Sequence, residues 1–322
     1  FWLKGRQLPA EHCAPEAEMH PQRHLTLLVR FLVAAEAART RHGLSNNEAE
    51  HGRRVARSRC SFGIPLCTLN NVSVLETRTA DGRSQRRMQF GDECATESTV
   101  FCKSGPACGL ACNPCPCDFD SSAGLSVNYM KTMFQNLGAW CTRDNTHVLM
   151  IGLGGGELSQ YLLHHCPGMS IDAVELSGSV ISMAKAYFGL TESAAKFKGR
   201  LAIEQADALT AVAERALSSS EAYAVVLVDC FSGRGEVPES CRSRAFAEKV
   251  QAILKPGGVL LQNIWHYSRM SSAVPAEFEE AKRIYKDVFG GELEDLEVPM
   301  PPRLRWVDVL KATKAAAGPQ EP

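Results

Sequence analysis

The stretch Val148-Leu-Met-Ile-Gly152-Leu-Gly154-Gly155-Gly156-Glu157-Leu158 is typical of a strand, a glycine-rich turn and the start of a helix. Glycine allows positive φ and lets the backbone approach a ligand closely. The helix start then offers unpaired N–H groups to an electronegative ligand. Tight packing of a helix on a strand also selects glycine, so the turn needs support from neighbouring strands. With that support, Gly152, Gly154 and Gly156 predict a site for a nucleoside-type small molecule.

Acidic residues close the next three predicted strands. Glu175 ends the second strand, where a carboxylate can accept hydrogen bonds from both hydroxyls of a ribose. Asp207 follows the third strand and can receive an adenine amino group, while the small Ala208 beside it admits the ring; Asp207 is also a favourable helix N-cap. Asp229 ends the fourth strand and is predicted to face the ligand crevice, with capping of the following turn as its alternative role.

Strands and helices alternate through the second half of the chain, which predicts a doubly wound α/β sheet with parallel central strands. The predicted strands are 147–152, 171–175, 200–204, 223–229, 259–264 and 304–310, and the predicted helices are 126–137, 157–165, 179–188, 208–217, 244–254 and 275–289. Residues 255–258 are predicted as a turn. The expected domains are a helical extension over 1–59, a small β-region with a cysteine-rich loop over 60–125, and a Rossmann-like domain over 126–322. A hairpin around Ala80-Asp81-Gly82 is expected in the β-region.

Composition excludes some broad classes of protein. Apolar residues make up 45% of the chain, and 35 Lys+Arg against 36 Asp+Glu give a net charge of -1, which argues against a protein that coats nucleic acid. The longest apolar run, Leu25 to Ala38, is too short to span a bilayer, so no transmembrane segment is predicted. Because the chain opens with Phe1, we expect either a removed leader or a fragment.

Cysteine usage is unusual, with 13 in total and nine before residue 125. Disulfides in an oxidising compartment, a zinc site using Cys112 and Cys115, and reduced thiols are three alternatives that spacing leaves open. Asn71-Val72-Ser73 is a glycosylation sequon and favours a lumenal, secreted or organellar setting. Residues 1–59 and the cysteine-rich loop are candidate surfaces for a protein partner.

Taken together, these motifs resemble the class I S-adenosylmethionine-dependent methyltransferases, and more narrowly their spermidine-synthase-like branch. The segments that carry the resemblance are Ile151-Gly-Leu-Gly-Gly-Gly156, Ile171-Asp-Ala-Val-Glu175, Asp207-Ala208, Val228-Asp229, Leu254-Lys-Pro-Gly-Gly258, Arg87-Met-Gln-Phe-Gly91, Gly235-Glu-Val-Pro238 and Gln262-Asn-Ile-Trp265. The resemblance covers about residues 68–310. It implies S-adenosylmethionine as cofactor, held by Gly152, Gly154, Gly156, Glu175, Asp207, Ala208 and Asp229.

Two departures from the branch affect the expected chemistry. The resemblance implies an acid at Gly155 and another at Ser232 in a true aminopropyltransferase, where those groups hold and deprotonate the attacking amine. Their absence favours a methyltransferase, with Asp229, Glu236 and His266 as candidate catalytic residues. Tyr267 is a further candidate base.

Three other functions remain open from the sequence. The first is a structural or assembly subunit that keeps the fold without turnover, which would bind the cofactor weakly and bind other chains stably. The second is an aminopropyltransferase with rearranged acids. The third, an NAD-linked dehydrogenase, rests on the glycine turn alone, and the Lys-Pro-Gly-Gly turn fits the methyltransferase resemblance better.

Overall fold

The computed structural model describes residues 63–90, 95–103, 108, 112–218, 221–232, 236–265, 276–291, 293–299 and 307–316. The helices predicted within residues 1–59 lie outside these ranges. Two sheets organise the described part of the chain, one small and antiparallel, the other large and mostly parallel.

The small sheet is an antiparallel meander whose strands follow one another in chain order. Val72 and Val74 of its second strand pack with Met88 and Val100 of the next two strands in one apolar cluster. The predicted β-region and its hairpin are therefore confirmed. Its strands are β1 (Ile64–Leu69), β2 (Val72–Arg78), β3 (Ser84–Phe90) and β4 (Ala95–Cys102).

The large sheet has seven strands in the order β10-β11-β9-β8-β5-β6-β7, and the five from β7 to β9 run parallel. Its strands are β5 (Thr146–Ile151), β6 (Met169–Glu175), β7 (Leu201–Gln205), β8 (Tyr223–Val228), β9 (Leu254–Trp265), β10 (Leu293–Glu297) and β11 (Val307–Thr313). The helices are α1 (Asn128–Gln135), α2 (Glu157–His165), α3 (Gly178–Tyr187), α4 (Leu190–Lys196), α5 (Ala208–Ser218), α6 (Arg244–Ile253) and α7 (Ala276–Phe289). The predicted doubly wound α/β sheet with parallel central strands is confirmed.

Alternating side chains of one strand show how the large sheet is covered on both faces. Val148 and Met150 of β5 pack into one hydrophobic core, whereas Leu149 and Ile151 pack into the core on the opposite face. Successive strand residues point to opposite faces, so an uninterrupted apolar run is the pattern expected of a strand buried on both sides. A third core lies between the small sheet and α3.

The sequence prediction was wrong at two places on the sheet. Residues 255–258 do not form a separate turn, because they lie within β9, where the register with β8 shifts between the Tyr223–Leu254 and Val225–Val259 pairs. Strand β10 was missed because its sequence, Leu-Glu-Asp-Leu-Glu, has two apolar residues among three acids. The predicted closing strand overlaps β11 over Val307–Leu310, and its first three residues, 304–306, lie outside the described ranges.

Among the described residues, ten cysteines form five disulfides, which agrees with the disulfide alternative rather than with zinc or reduced thiols. The pairs are Cys67–Cys112, Cys102–Cys117, Cys108–Cys115, Cys141–Cys166 and Cys230–Cys241, with Cα–Cα distances from 4.5 to 6.4 Å. Cys112 and Cys115, whose spacing suggested zinc, bond to different partners. Within the described helices, none has both the length and the apolar composition needed to cross a membrane.

Candidate functional site

The glycine turn between β5 and α2 adopts the left-handed conformations that its sequence predicts. Gly152, Gly154 and Gly156 have φ of 88°, 53° and 75°. A Cβ at Gly152 would lie 2.0 Å from the carbonyl oxygen of Asp229, so the ends of β5 and β8 approach more closely than any side chain allows. Gly152 therefore brings the turn and Asp229 together at the carboxyl edge of the sheet.

Glu175 ties the end of β6 to this turn. Its Oε2 accepts a hydrogen bond from the Leu153 backbone N–H at 3.0 Å, and its Oε1 accepts one from Ser177 N–H at 2.9 Å. A carboxylate has about four lone-pair positions, so each oxygen keeps capacity for another donor. The half-buried Glu175 side chain is thus fixed against the glycine turn, and its ribose-binding role stays a prediction.

Asp207 caps α5, the alternative role that the sequence offered. Its Oδ1 accepts hydrogen bonds from the Thr210 backbone N–H at 3.1 Å and from the Thr210 hydroxyl at 3.4 Å. The Ala206 N–H donates to the Glu175 carbonyl at 3.1 Å, which places the loop beside the end of β6. Ala208 is buried. Adenine recognition by Asp207 and Ala208 stays a prediction, and the capping role of Asp207 is compatible with it.

Asp229 is held by two side chains that the sequence analysis did not assign to the site. Tyr129 of α1 donates its hydroxyl to Oδ2 at 2.8 Å, and Asn263 of β9 donates Nδ2–H to Oδ1 at 2.9 Å. Burial raises the pKa of the Asp229 carboxyl above its ordinary value; the two donated hydrogen bonds oppose this shift, and the nearby charge of Glu175 adds to it. Asp229 is therefore oriented and biased toward holding a proton.

The structure says less about the other catalytic candidates, Glu236, His266 and Tyr267. Glu236 is exposed, and its backbone pairs with Ser232, whose N–H donates to the Glu236 carbonyl at 2.8 Å. The Cys230–Cys241 disulfide spans the segment that contains both residues. His266 and Tyr267 lie outside the described residues, so their roles stay predictions.

Gly155 lies against two side chains that fill the space beside it. Its N–H donates to the Ser98 hydroxyl of β4 at 2.8 Å. A Cβ at Gly155 would lie 2.6 Å from Cδ1 of the fully buried Phe188 and 3.0 Å from Ser98 Oγ. The position at which the resemblance implies an acid is therefore closed to a side chain in this packing.

Glu157, the first residue of α2, is a buried carboxyl that the sequence analysis also missed. Ser126, just before α1, donates its backbone N–H to Oε1 at 2.6 Å and its hydroxyl to Oε2 at 2.5 Å. Burial raises the pKa of Glu157 to about 7 despite these donors. Glu157 thus fixes the start of α1, the helix that carries Tyr129, to the glycine turn.

A model of the spermine/spermidine synthase domain matches residues 128–302, which is more than half of the chain. The chain belongs to this family. The match runs from α1 through the glycine turn and Asp229 to the end of the β10 region.

Relatives of this family member carry two different activities in their names. Over 125 residues it is 35% identical to the human eEF1A lysine and N-terminal methyltransferase, a match that spans 36% of this chain but 17% of that protein. Over 148 residues it is 31% identical to the polyamine aminopropyltransferase of Chromobacterium violaceum, covering 46% of this chain and 52% of the relative. The chain thus spans about half of one relative and a much smaller part of the other.

The fold of this family member is similar to that of a probable spermidine synthase from Corynebacterium glutamicum. The TM-score is 0.56 over 76% of this chain and 77% of the other, with 14% sequence identity. At that identity the similarity concerns the fold alone.

Proposed function

We propose that this chain is an S-adenosylmethionine-dependent methyltransferase. The observation that carries the proposal is the Glu175 carboxylate, which is bonded to the glycine turn through Leu153 N–H and keeps acceptor capacity for a ribose. The methyltransferase name of the human relative, whose match spans 36% of this chain, supports the same choice.

The described residues fit the nucleoside part of this cofactor. Glu175 would hold the ribose hydroxyls, and Asp207 and Ala208 would hold the adenine, since the Ala206 N–H bond to the Glu175 carbonyl brings their loop beside the end of β6. The bound cofactor supplies an electrophilic methyl group on its sulfonium, so the protein needs chiefly to position the acceptor in line.

Asp229 is the residue best placed to manage the acceptor's proton. Its backbone N–H donates to the Ile151 carbonyl at 2.8 Å, so Asp229 lies beside the end of the strand that leads into the glycine turn. A protein amine, the acceptor class in the human relative's name, must lose a proton to become a nucleophile. We assign Asp229 as the proton acceptor, positioned by Tyr129 and Asn263.

The space around Gly155 favours methyl transfer over aminopropyl transfer. The resemblance implies an acid there for polyamine chemistry, and Phe188 and Ser98 leave no room for its Cβ. The second candidate is the assembly subunit, for which residues 1–59 and the cysteine-rich loop would supply partner contacts. The packing around Gly155 is compatible with both the assembly subunit and the methyltransferase, but only the methyltransferase requires Glu175 to bind a ribose.

Calorimetric titration of the purified chain with S-adenosylmethionine and with its decarboxylated form tests the proposal. We expect micromolar binding of S-adenosylmethionine, at least tenfold weaker in Glu175→Gln because one carboxylate acceptor is lost. Glu221→Gln is the matched control, since Glu221 is exposed and forms an ion pair with Lys314 at 3.1 Å, away from Glu175 in the sequence.

Three outcomes would contradict the proposal in different ways. Preference for the decarboxylated form would indicate aminopropyl transfer. Absence of binding by a folded chain would favour the assembly subunit. Binding that Glu175→Gln leaves unchanged would remove the assigned ribose site. If S-adenosylmethionine binds, transfer of a labelled methyl group to amine-bearing peptides identifies the acceptor.

A further inference from the structure

Asn71 lies at the tip of the hairpin between β1 and β2. Leu69 and Val72 pair across a two-residue turn made by Asn70 and Asn71, which have φ of 48° and 66°. Asn tolerates this left-handed backbone better than other non-glycine residues, and two such residues close a tight hairpin. Both side chains are exposed, so the turn presents Asn71 to solvent.

The two asparagines of the turn are used differently. Asn70 donates Nδ2–H to the Ser179 hydroxyl at 3.0 Å, which ties the hairpin to α3. Among the described residues, the Asn71 side chain has no such partner. Asn71 is also the residue that begins Asn71-Val72-Ser73, and no other Asn-X-Ser/Thr sequence with X other than Pro occurs in the 322 residues. The sequon therefore lies on the amide that the fold leaves available.

Disulfides on the same sheet indicate where this hairpin folds. Cys67, in β1 and four residues before Asn71, bonds to Cys112, and Cys102 of β4 bonds to Cys117. Disulfides form and persist in oxidising compartments such as the endoplasmic reticulum lumen. Asparagine glycosylation at Asn-X-Ser/Thr belongs to proteins of the same secretory route.

We propose that Asn71 carries an N-linked glycan. A polyprenyl-diphosphate-linked oligosaccharide is the co-reactant: a bond forms between Asn71 Nδ2 and the sugar C1, and the bond from C1 to the diphosphate oxygen breaks. The amide nitrogen gives up one proton, the lipid diphosphate leaves with the electron pair of the broken bond, and nothing is oxidised or reduced. Ser73 is buried against Thr68 in the folded hairpin, so transfer precedes folding of β2.

A glycan on Asn71 has a clear place in the fold. Leu69, next to the turn, exposes 44% of its surface, and a bulky hydrated group at the hairpin tip shields this apolar residue from other proteins. The tip is the point where Asn70 contacts the first turn of α3, two residues after its N-cap Ser177. The modification therefore decorates the outer edge of the small sheet without entering its core.

The test is to secrete the full chain from cultured eukaryotic cells behind a cleavable leader and to map its peptides by mass spectrometry. Enzymatic removal of N-glycans in heavy-oxygen water should convert Asn71 to labelled aspartate in the wild type. The same treatment should lower the mass of the intact chain by one glycan. Asn71→Gln should show neither change, whereas Asn70→Gln and Ser73→Thr, which both keep a sequon at Asn71, should show both.

The wild-type peptide map decides the matter even if a variant fails to be secreted. An unmodified Asn71 peptide from secreted protein with intact disulfides would overturn the proposal. A mass decrease that persists in Asn71→Gln would also overturn it, because the glycan would then be attached elsewhere.

Discussion

The Ser98 hydroxyl of the small sheet accepts the hydrogen bond of the Gly155 N–H, at 2.8 Å, in the glycine turn of the large sheet. Both residues are buried, and a buried N–H without a hydrogen-bond partner would cost folding free energy. One backbone group of the turn is thus satisfied by another sheet rather than kept for a ligand. The small sheet therefore forms part of the wall of the proposed cofactor site.

Gly155→Ala should destabilise the fold by about 1–3 kcal/mol, because its Cβ would overlap Phe188 and crowd Ser98. Thermal or denaturant unfolding of the disulfide-intact chain measures this change. A double-mutant cycle with Phe188→Leu is the control, since the cost of Gly155→Ala should shrink when the ring is removed. Equal cost in both backgrounds would contradict the packing argument. Gly155→Asp should fail to create aminopropyl transfer.

Glu157 should make stability depend on pH between about 4.5 and 7. Its pKa is about 7 in the folded chain against 4.5 ordinarily, so the folded state holds the proton more tightly. Stability is greatest at low pH within this window and falls as pH rises through 7, by up to about 3 kcal/mol. Unfolding free energies measured from pH 4 to 8.5 should show the decrease.

Glu157→Gln isolates this contribution because Gln does not titrate. The difference between wild type and Glu157→Gln should change with pH in the same window and level off above it. Glu192→Gln, an exposed acid in the first turn of α4, is the control and should leave the wild-type dependence intact. A pH-independent difference for Glu157→Gln would show that the carboxyl ionises normally.

Tyr129→Phe should move the acid limb of the kcat/KM profile for methyl transfer to higher pH. The Tyr129 hydroxyl stabilises the Asp229 anion, so its loss raises an already elevated pKa and leaves less base at a given pH. Asp229→Asn should lower kcat at least a hundredfold. Tyr161→Phe, which alters a tyrosine stacked on His165, is the control. An unshifted profile in Tyr129→Phe would argue against Asp229 as the base.

Removing Cys230–Cys241 should loosen the segment that carries Ser232 and Glu236. The variant with both cysteines replaced by Ser should lose about 2–4 kcal/mol of unfolding free energy. Its backbone amides at residues 231–232 and 236–240 should exchange hydrogen faster than those of the wild type. The double variant of Cys141 and Cys166 is the matched control, with a similar loss of stability and unchanged exchange in that segment. Equal protection in both variants would contradict a role for the bond in ordering the segment.

Regular alternation made the large sheet predictable from the sequence. Residues 148–151 are apolar without a break because both faces of β5 are covered. This pattern can be recognised in the local sequence alone, before the neighbouring strands are known. Strand β10 has too few apolar residues to give such a signal. It is stabilised instead by pairing with β11 and by ion pairs of Asp295 with Lys282 and of Glu294 with Lys311.

The sequence could predict the position of single acids at strand ends, but not the hydrogen-bond partners that other elements bring to them. Glu175 and Asp229 follow from their places at strand ends. Tyr129 and Asn263, 100 and 34 residues from Asp229 in sequence, become its partners only through tertiary packing. Their signal was present, in a predicted helix and in the Gln262-Asn-Ile-Trp265 segment, but nothing in the local pattern joined them to an acid.

The three disulfides around the small sheet have a connectivity that conflicts with the order of synthesis. Cys67 precedes its partner Cys112 by 45 residues, and Cys94, Cys102 and Cys108 emerge in between. Cys102 bonds to Cys117, and Cys108, Cys112 and Cys115 lie between these two in sequence. A chain that joined each cysteine to the next available one would be misbridged and would need thiol–disulfide exchange to recover. We therefore expect correct pairing to need thiol–disulfide exchange, catalysed by an isomerase or a redox pair, as well as an oxidant.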